Sequence, residues 1–332
     1  MVDYVLAGDI GGTKTSLGLF VRGKTKRPLL RYGVTYHSGA AATLEELLER
    51  FITGYHVPIA AVCLGVAGAV DRRQVKAANL PWKVSEAALA RRFGWPRVQL
   101  INDLVATAYA VPLLRKNEVF QLQRGRGAAG ANVGLMAPGT GLGTALLVAC
   151  NGQYMPVPSE GGHVGFAPLA EDDLALWHYL AGRFGHVSLE RVLSGPGLYT
   201  IYCWLRDSGC YQEPAWLVEQ LTRDNAPRLI AERAMAEGDP LCLAALEKFV
   251  ALLGSAAGDL ALIGMTIGGL FLGGGIPPKI LTKLQQPCFL AAFNHKGRLS
   301  EIMPRFPVSV ILNEQAALLG AAYCALNVPA AT

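Results

Sequence analysis

No two cysteines stand in a CxxC arrangement, so the sequence offers neither a zinc ribbon nor a thioredoxin-type redox pair. The seven cysteines (63, 150, 203, 210, 242, 288 and 324) are odd in number, widely spaced and mostly set in apolar surroundings. Free thiols buried in a reducing cytoplasm are the expectation. Charge is scarce as well, at 17% of residues with a net +5. The densest basic cluster (Arg22, Lys24, Lys26, Arg27) is short, and a nucleic-acid stripe would need more positive charge on one face. A signal peptide is not expected, because Asp3 and Asp9 interrupt what would have to be its apolar core. Residues 260–278 carry no charge, but Gly264, Gly268, Gly269, Gly273 to Gly275, Pro277 and Pro278 break the run. A membrane-spanning helix needs about 20 predominantly apolar residues, so a buried helix end followed by a buried strand is expected instead.

Apolar residues make up 52% of the 332, ample for two cores at roughly 100 to 200 residues per domain. Strand and helix patterns alternate throughout, which predicts an α/β fold. YVLAG reads as a strand, a Gly-rich turn follows, and TSLGLFV and LLRYGVTY are further strands. TLEELLERFITG reads as a helix with Thr43 as N-cap and Glu46 completing a capping box. Leu44, Leu47, Leu48 and Phe51 line one face, and Gly54 ends it. The strand IAAVCLGVAG, the helix SEAALARRFG and the strand RVQLIND follow.

The second half repeats this plan. NVGLMAPGTGLGTALLVACNGQYM again reads strand, Gly-rich turn, strand, like DYVLAGDIGGTKTSLGLFVRGK. FLGGGI echoes CLGVAG, and VSVILNEQAALLGA echoes VQLINDLVATAYA. Three paired segments in one order indicate an internal duplication, with the helices from Glu171 to Gly264 as an insertion in the second half. A cleft between two related halves is where a ligand is expected.

Two segments match nucleotide motifs in letters only. Gly18 to Thr25 satisfies the P-loop pattern, but Gly18 lies inside a strand and Pro28 prevents a helix from starting where that loop requires one. Gly125 to Gly130 fits GxGxxG but precedes a strand, with no acid about 20 residues on. The stretch Gly8-Asp9-Ile10-Gly11-Gly12-Thr13-Lys14 is different, because it forms a Gly-rich turn between two strands. Its glycines allow a tight bend that presents N–H groups to phosphate oxygens. Asp9 supplies a carboxylate suited to magnesium held through water. Alone it could be an ordinary hairpin. A second loop, Gly139-Thr140-Gly141, stands at the equivalent place in the repeat, so the two could grip one phosphate chain.

Phosphoryl transfer to a hydroxyl needs a base near the nucleophile. Asp103, after the strand VQLIN and at the start of a helix, is the candidate; a helix cap is the alternative. Asn102 beside it could hydrogen-bond a substrate hydroxyl. Glu160-Gly161-Gly162-His163 forms a second polar cluster able to turn towards one ligand. Metal binding there is disfavoured, since no HExxH occurs and no cysteines follow. Glu190, at a helix start in HVSLERVLSG, reads alone as structural.

Together GDIGGTKT, LINDLVATAYA, APGTGLGTALL, VPSEGGHVGFAPL, GHVSLERVLSGPGLYTIY and GGLFLGGGIPPKI resemble the bacterial-type glucokinase family, within the sugar-kinase, actin and heat-shock-chaperone ATPase superfamily. The resemblance covers nearly the whole chain. It implies two ribonuclease-H-like (actin-like ATPase) domains with a cleft between them. Residues 1–112 with 312–332 would form the small domain and 113–311 the large one. It implies transfer of the γ-phosphoryl group of ATP, with magnesium, to the 6-hydroxyl of glucose. Asp103 would take the proton, and Asn102, Glu160, His163 and Glu190 would bind the other hydroxyls. The hairpin Gly8, Asp9, Gly11, Gly12, Thr13 and Lys14, with Gly139, Thr140 and Gly141, would hold phosphates and magnesium. Gly273, Gly274 and Gly275 would pass close to the adenosine.

Lys14 departs from the pattern, since the closest glucokinases often have Asn there and the related repressor and sugar-kinase group has Lys. That group resembles a pattern with clustered zinc-binding cysteines after its EGGH-like segment, whereas the next cysteine here is Cys203. A kinase for mannose or N-acetylglucosamine, or a non-enzymatic actin-like ATPase module, are the alternatives. A sugar-responsive repressor would need a DNA-binding helix pair before the hairpin. No membrane or nucleic-acid partner is expected, and a homodimer is implied by the resemblance alone.

Overall fold

Alternating apolar strands and amphipathic helices sort into two compact units: residues 1–118, 154–158 and 313–332, and residues 119–153 and 159–312. The computed structural model describes residues 3–327 apart from 69, 78, 79, 223, 224 and 237. Every candidate site residue lies among those described.

The first unit contains β1 (Tyr4–Ile10), β2 (Lys14–Val21), β3 (Leu29–His37), β4 (Ile59–Val66), β5 (Val70–Asp71), β6 (Gln74–Lys76), β7 (Lys83–Ser85) and β8 (Val98–Asn102). Its main sheet runs β3-β2-β1-β4-β8, and β5-β6-β7 form a small separate sheet. β1 pairs antiparallel with β2, placing Ile10 opposite Thr15. It pairs parallel with β4, placing Asp9 opposite Gly65. β4 in turn pairs parallel with β8, with Val66 opposite Asn102. The carboxyl ends of three parallel strands therefore share one edge, the edge where ligands of open α/β sheets bind.

Helix α1 (Leu44–Thr53) buries Leu44, Leu47, Leu48 and Phe51, the stripe expected from the sequence. Thr43 Oγ1 accepts the Glu46 N–H at 3.3 Å. The Glu46 carboxylate, however, accepts from Ala42 N rather than from the cap residue, at 3.0 Å. The capping box thus closes one residue early, over the turn that enters the helix. Helices α2 (Glu86–Phe93) and α3 (Asp103–Ala110) complete the first stretch of this unit.

The C-terminal helix Ala316–Asn327 packs on the other face of the sheet, where Leu318, Ala321, Ala322 and Ala325 join Val5, Ala7, Phe20, Ala61 and Ala106 in one apolar cluster. It lies against α3 with almost no clearance. A side chain at Gly320 would be driven into the carbonyl of Ala106, and a Cβ at Gly65 would come within 2.9 Å of the Ala106 Cβ. Small residues on three elements therefore set where α3 begins.

The second unit contains β9 (Val119–Gln123), β10 (Val133–Pro138), β11 (Leu142–Cys150), β12 (Gln153–Ser159, whose residues 154–158 group with the first unit), β13 (Gly269–Leu272) and β14 (Val308–Ile311). Its strands stand in the order β11-β10-β13-β14-β9. β10 pairs antiparallel with β11, with Pro138 opposite Leu142, and parallel with β13. β13 pairs parallel with β14. This is the pattern β2-β1-β4-β8 again, so the duplication in the sequence is one of strand topology. β9 adds an antiparallel edge strand next to β14.

The helices of this unit are α4 (Glu171–Phe184), α5 (Gly195–Asp207), α6 (Ala215–Gln220), α7 (Ala226–Met235), α8 (Pro240–Gly264), α9 (Leu281–Leu284) and α10 (Pro287–Asn294). α8 is long and apolar enough to cross a membrane, but its most apolar stretch is 67% buried. It is the helix against which α5, α7 and α10 pack. The uncharged run beyond it resolves into the end of α8, a left-handed cap at Met265 and β13, as expected. Neither rejected motif forms a phosphate loop: Gly18 lies inside β2, and Gly125 to Gly130 lie between β9 and β10.

Filling the contact between the C-terminal helix and α3 should be costly. Gly320→Val is expected to lower unfolding free energy by about 3 kcal/mol, the upper range for overpacking, in urea denaturation. A loss below about 0.5 kcal/mol would show that the helices have room to part.

Candidate active site

The candidate residues form two clusters, one in each unit. In the first, β1 ends in Asp9 and Ile10, and the chain turns through Gly11, Gly12 and Thr13 into β2. The turn closes with Gly11 N–H donating to the Lys14 carbonyl at 2.9 Å. Thr13 and Lys14 are exposed, Gly8 is buried, and Asp9 is half-buried.

Ser38, which no sequence motif marks, straps this turn from beneath. Its N–H donates to the Thr13 carbonyl at 2.8 Å. Its hydroxyl donates to the Gly11 carbonyl at 2.7 Å. That spends the hydroxyl proton, so the 2.9 Å contact with Thr15 Oγ1 has Thr15 as donor. Both Ser38 and Thr15 are fully buried. A serine between a strand and a helix start reads as an ordinary loop residue, and only the fold shows what it faces.

Asn102 and Asp103 stand at the end of β8. Asn102, not Asp103, is the N-cap of α3: its Oδ1 accepts the Leu104 N–H at 2.9 Å. Its amide also donates to the Gly68 carbonyl at 3.1 Å. Much of this side chain's hydrogen-bonding capacity is therefore committed to the scaffold. Asp103 occupies the first helical position, and its Oδ1 also accepts from Leu104 N, at 2.9 Å.

Asp9 and Asp103 are close enough to affect each other. Burial, followed by the charge of Asp103, raises the Asp9 carboxyl from 3.8 to about 7. Burial likewise raises Asp103, against the opposing pull of the Leu104 and Asp103 N–H groups. Two desolvated carboxyls repelling one another form a site that a divalent cation would relieve. Among the described residues, no group of three or more His, Cys, Asp or Glu side chains could hold a metal. The donor set would suit a hydrated divalent cation at Asp9. It does not fit a resident metal centre.

In the second unit the cluster centres on Leu142, the first residue of β11. The Leu142 N–H donates to Glu190 Oε2 at 2.8 Å. Its carbonyl lies so close to Gly162 that no side chain could be added there. Leu142 thereby joins three predicted pieces: the Gly139–Gly141 loop, the Glu160–His163 turn and Glu190. The loop is pinned by Gly139 N–H to the Gly141 carbonyl and by Gly195 N–H to the Gly139 carbonyl, both at 2.8 Å. Glu190 is steadied in turn by Ser194, whose hydroxyl donates to the Glu190 carbonyl at 2.7 Å.

The Glu160–His163 turn is fixed by its backbone and leaves both side chains open. His163 N–H donates to the Glu160 carbonyl at 2.9 Å. Gly161 N–H donates to Ser159 Oγ at 2.9 Å, and Ser159 meets Thr144 Oγ1 at 3.1 Å. The His186 ring lies 2.9 Å from the His163 carbonyl. The Glu160 and His163 side chains are 79% and 61% exposed and stand 3.9 Å apart, free to meet a ligand's hydroxyls. Gly273 to Gly275 follow β13. Gly274 has φ 78°, and an added Cβ would meet the Pro138 carbonyl at 2.5 Å. Glycine is required there by the protein's own backbone, whatever passes over it.

A family model described as Glucokinase matches residues 6–328. The chain is similar to a glucokinase of Nostoc punctiforme, 35% identical over 97% of this chain and 98% of that one. Its structure is similar to the crystal structure of a glucokinase from an Antarctic psychrotroph, with a TM-score of 0.87, 33% identity and coverage of 98% and 100%. It also shares the fold of a ROK family glucokinase from Streptomyces griseus, solved with glucose and AMPPNP. There the TM-score is 0.65 at 22% identity, covering 97% of this chain and 99% of that one.

The raised Asp9 carboxyl has a consequence for stability. Below the ordinary value of 3.8 both folded and unfolded chains are protonated there, and above about 7 the folded chain carries a poorly solvated charge. Ionised Asp9 thus costs about 4 kcal/mol at most at pH 8, and nothing near pH 3. Asp9→Asn should raise the melting temperature at pH 8, with the gain shrinking as pH falls through 7 towards 4. A gain that does not change with pH would show that the carboxyl is solvated.

Proposed function

The chain belongs to the glucokinase family, and on that premise we propose that it transfers the γ-phosphoryl group of ATP to the 6-hydroxyl of glucose, giving glucose 6-phosphate and ADP. The observation that carries this reading is the placement of Asp103. A desolvated carboxyl stands at a helix start beside Asp9, on the carboxyl edge of the first sheet.

In this reading Asp103 accepts the 6-hydroxyl proton as the oxygen bonds to the γ-phosphorus and the bond to the β,γ-bridging oxygen breaks. Such transfers depend on position and charge stabilisation more than on covalent chemistry by the protein. Gly12 and Thr13 offer main-chain donors to phosphate oxygens, and Lys14 adds a charge beside them. Asp9 would hold magnesium, which would supply charge neutralisation on the phosphates. Gly139, Thr140 and Gly141 hold further phosphate oxygens, and Gly273 to Gly275 run along the adenosine.

Glu160, His163 and the Glu190 oxygen not tied to Leu142 accept from or donate to the remaining sugar hydroxyls. Asn102 keeps one amide hydrogen for the sugar after its two scaffold bonds. A kinase for mannose or N-acetylglucosamine would use the same groups, so a sugar panel separates these readings. An actin-like ATPase module would release ADP equally with no sugar present.

Asp103→Asn is expected to lower kcat by about 100- to 10,000-fold while glucose affinity stays within about twofold. Normal turnover in that variant would remove Asp103 from the base role. Because burial raises the Asp103 carboxyl above 3.8, activity should fall as pH drops through that raised value. An acid limb at or below 3.8 would contradict this. Glu160→Gln should raise KM for glucose by about tenfold, the loss expected for one charged hydrogen bond. An unchanged KM would exclude that contact.

A further inference from the structure

We propose that Ser38 is a positioning residue for the nucleotide, setting the direction in which the hairpin's main-chain donors point. The inference rests on the reading of that hairpin as the ATP phosphate loop, and it concerns a residue that touches no substrate.

A trans peptide carries its C=O and its N–H on opposite sides, and the chain has no cis peptide bonds among the described residues. Ser38 takes hold of two carbonyls in the turn. Its hydroxyl binds the Gly11 carbonyl at 2.7 Å and its N–H binds the Thr13 carbonyl at 2.8 Å. The N–H groups on the far sides of those two peptides belong to Gly12 and Lys14. Drawing both carbonyls towards Ser38 turns both N–H groups away from it. Among the described residues, the Gly12 N–H meets no protein acceptor. A donor fixed in place without an acceptor suits an anionic oxygen.

The hydroxyl is itself held. Thr15 Oγ1 donates to it at 2.9 Å, and Ser38 and Thr15 both have 0% exposure. The arrangement therefore runs one way, from Thr15 to Ser38 to the Gly11 carbonyl. Gly11 and Gly12 have no side chains to restrain their shared peptide. Without the Ser38 hydroxyl, that peptide is free to rotate and carry the Gly12 N–H out of line.

The test compares Ser38→Ala, Thr15→Val and the double variant with the unaltered protein. Calorimetry would give ATP and glucose affinities, and steady-state kinetics would give the two KM values. Ser38→Ala should weaken ATP binding and raise KM for ATP about tenfold, with glucose affinity within twofold. Thr15→Val keeps the Ser38–Gly11 bond and should leave ATP affinity within twofold. The double variant removes the hydroxyl orphaned in Ser38→Ala, so it should recover melting temperature but not ATP affinity.

A Ser38→Ala protein that folds and binds ATP within twofold of the unaltered chain overturns the proposal. So does recovery of ATP affinity in the double variant, which would make the effect one of packing alone. If Ser38→Ala does not fold, Ser38→Cys keeps a weak donor and should show the same ATP-specific loss to a lesser degree. Equal losses for ATP and glucose in that variant would also overturn it. Failure of the unaltered protein to bind ATP or turn over with glucose would defeat the functional reading instead.

Discussion

Two carboxyl groups drawn out of water beside one another set the terms for the first unit. Asp9 and Asp103 each lose solvation, and the charge of Asp103 makes ionisation of Asp9 harder still. Left alone, such a pair costs stability. It persists because the backbone around it allows little choice. β1, β4 and β8 end on one edge, Asn102 caps α3, and the small residues Gly65, Ala106 and Gly320 let α3 and the C-terminal helix close together beneath. Stability surrendered at one edge of a sheet is recovered in the apolar packing behind it, a division common at sites built for chemistry.

The second unit reaches a comparable end by different means. Among the described residues, no desolvated acidic pair stands at its hairpin. Leu142 gathers the pieces there, its N–H held by Glu190 and its carbonyl packed on Gly162. Main-chain contacts do the fixing, so the side chains of Glu160 and His163 remain exposed. Two copies of one strand topology have thus specialised, one edge around desolvated acid and the other around open polar groups.

Much of this was legible in the sequence, for reasons that can be named. The stripe Leu44, Leu47, Leu48 and Phe51 has helical period, and all four are buried. The matched hairpins GDIGGTKT and APGTGLGT mark the duplication, and their strands pair alike. What could not be read was whatever depends on residues distant in sequence meeting in space. Ser38 follows the hairpin by more than twenty residues, and nothing in its neighbours marks it. The capping role suspected for Asp103 belongs to Asn102, a choice decided by side-chain direction that adjacent letters do not reveal. The glycine at 274 answers to the Pro138 carbonyl, a contact no local pattern encodes.

The desolvated acid pair makes sense if a cation arriving with the nucleotide completes it. Carboxyl-carbon NMR of Asp9, titrated in the free protein and again with magnesium and ATP, would test this directly. The free protein should titrate near 7 at Asp9, and the bound form should titrate well below that, as the opposite charge takes over from Asp103's repulsion. An Asp9 titration unmoved by magnesium and ATP would contradict the arrangement proposed here.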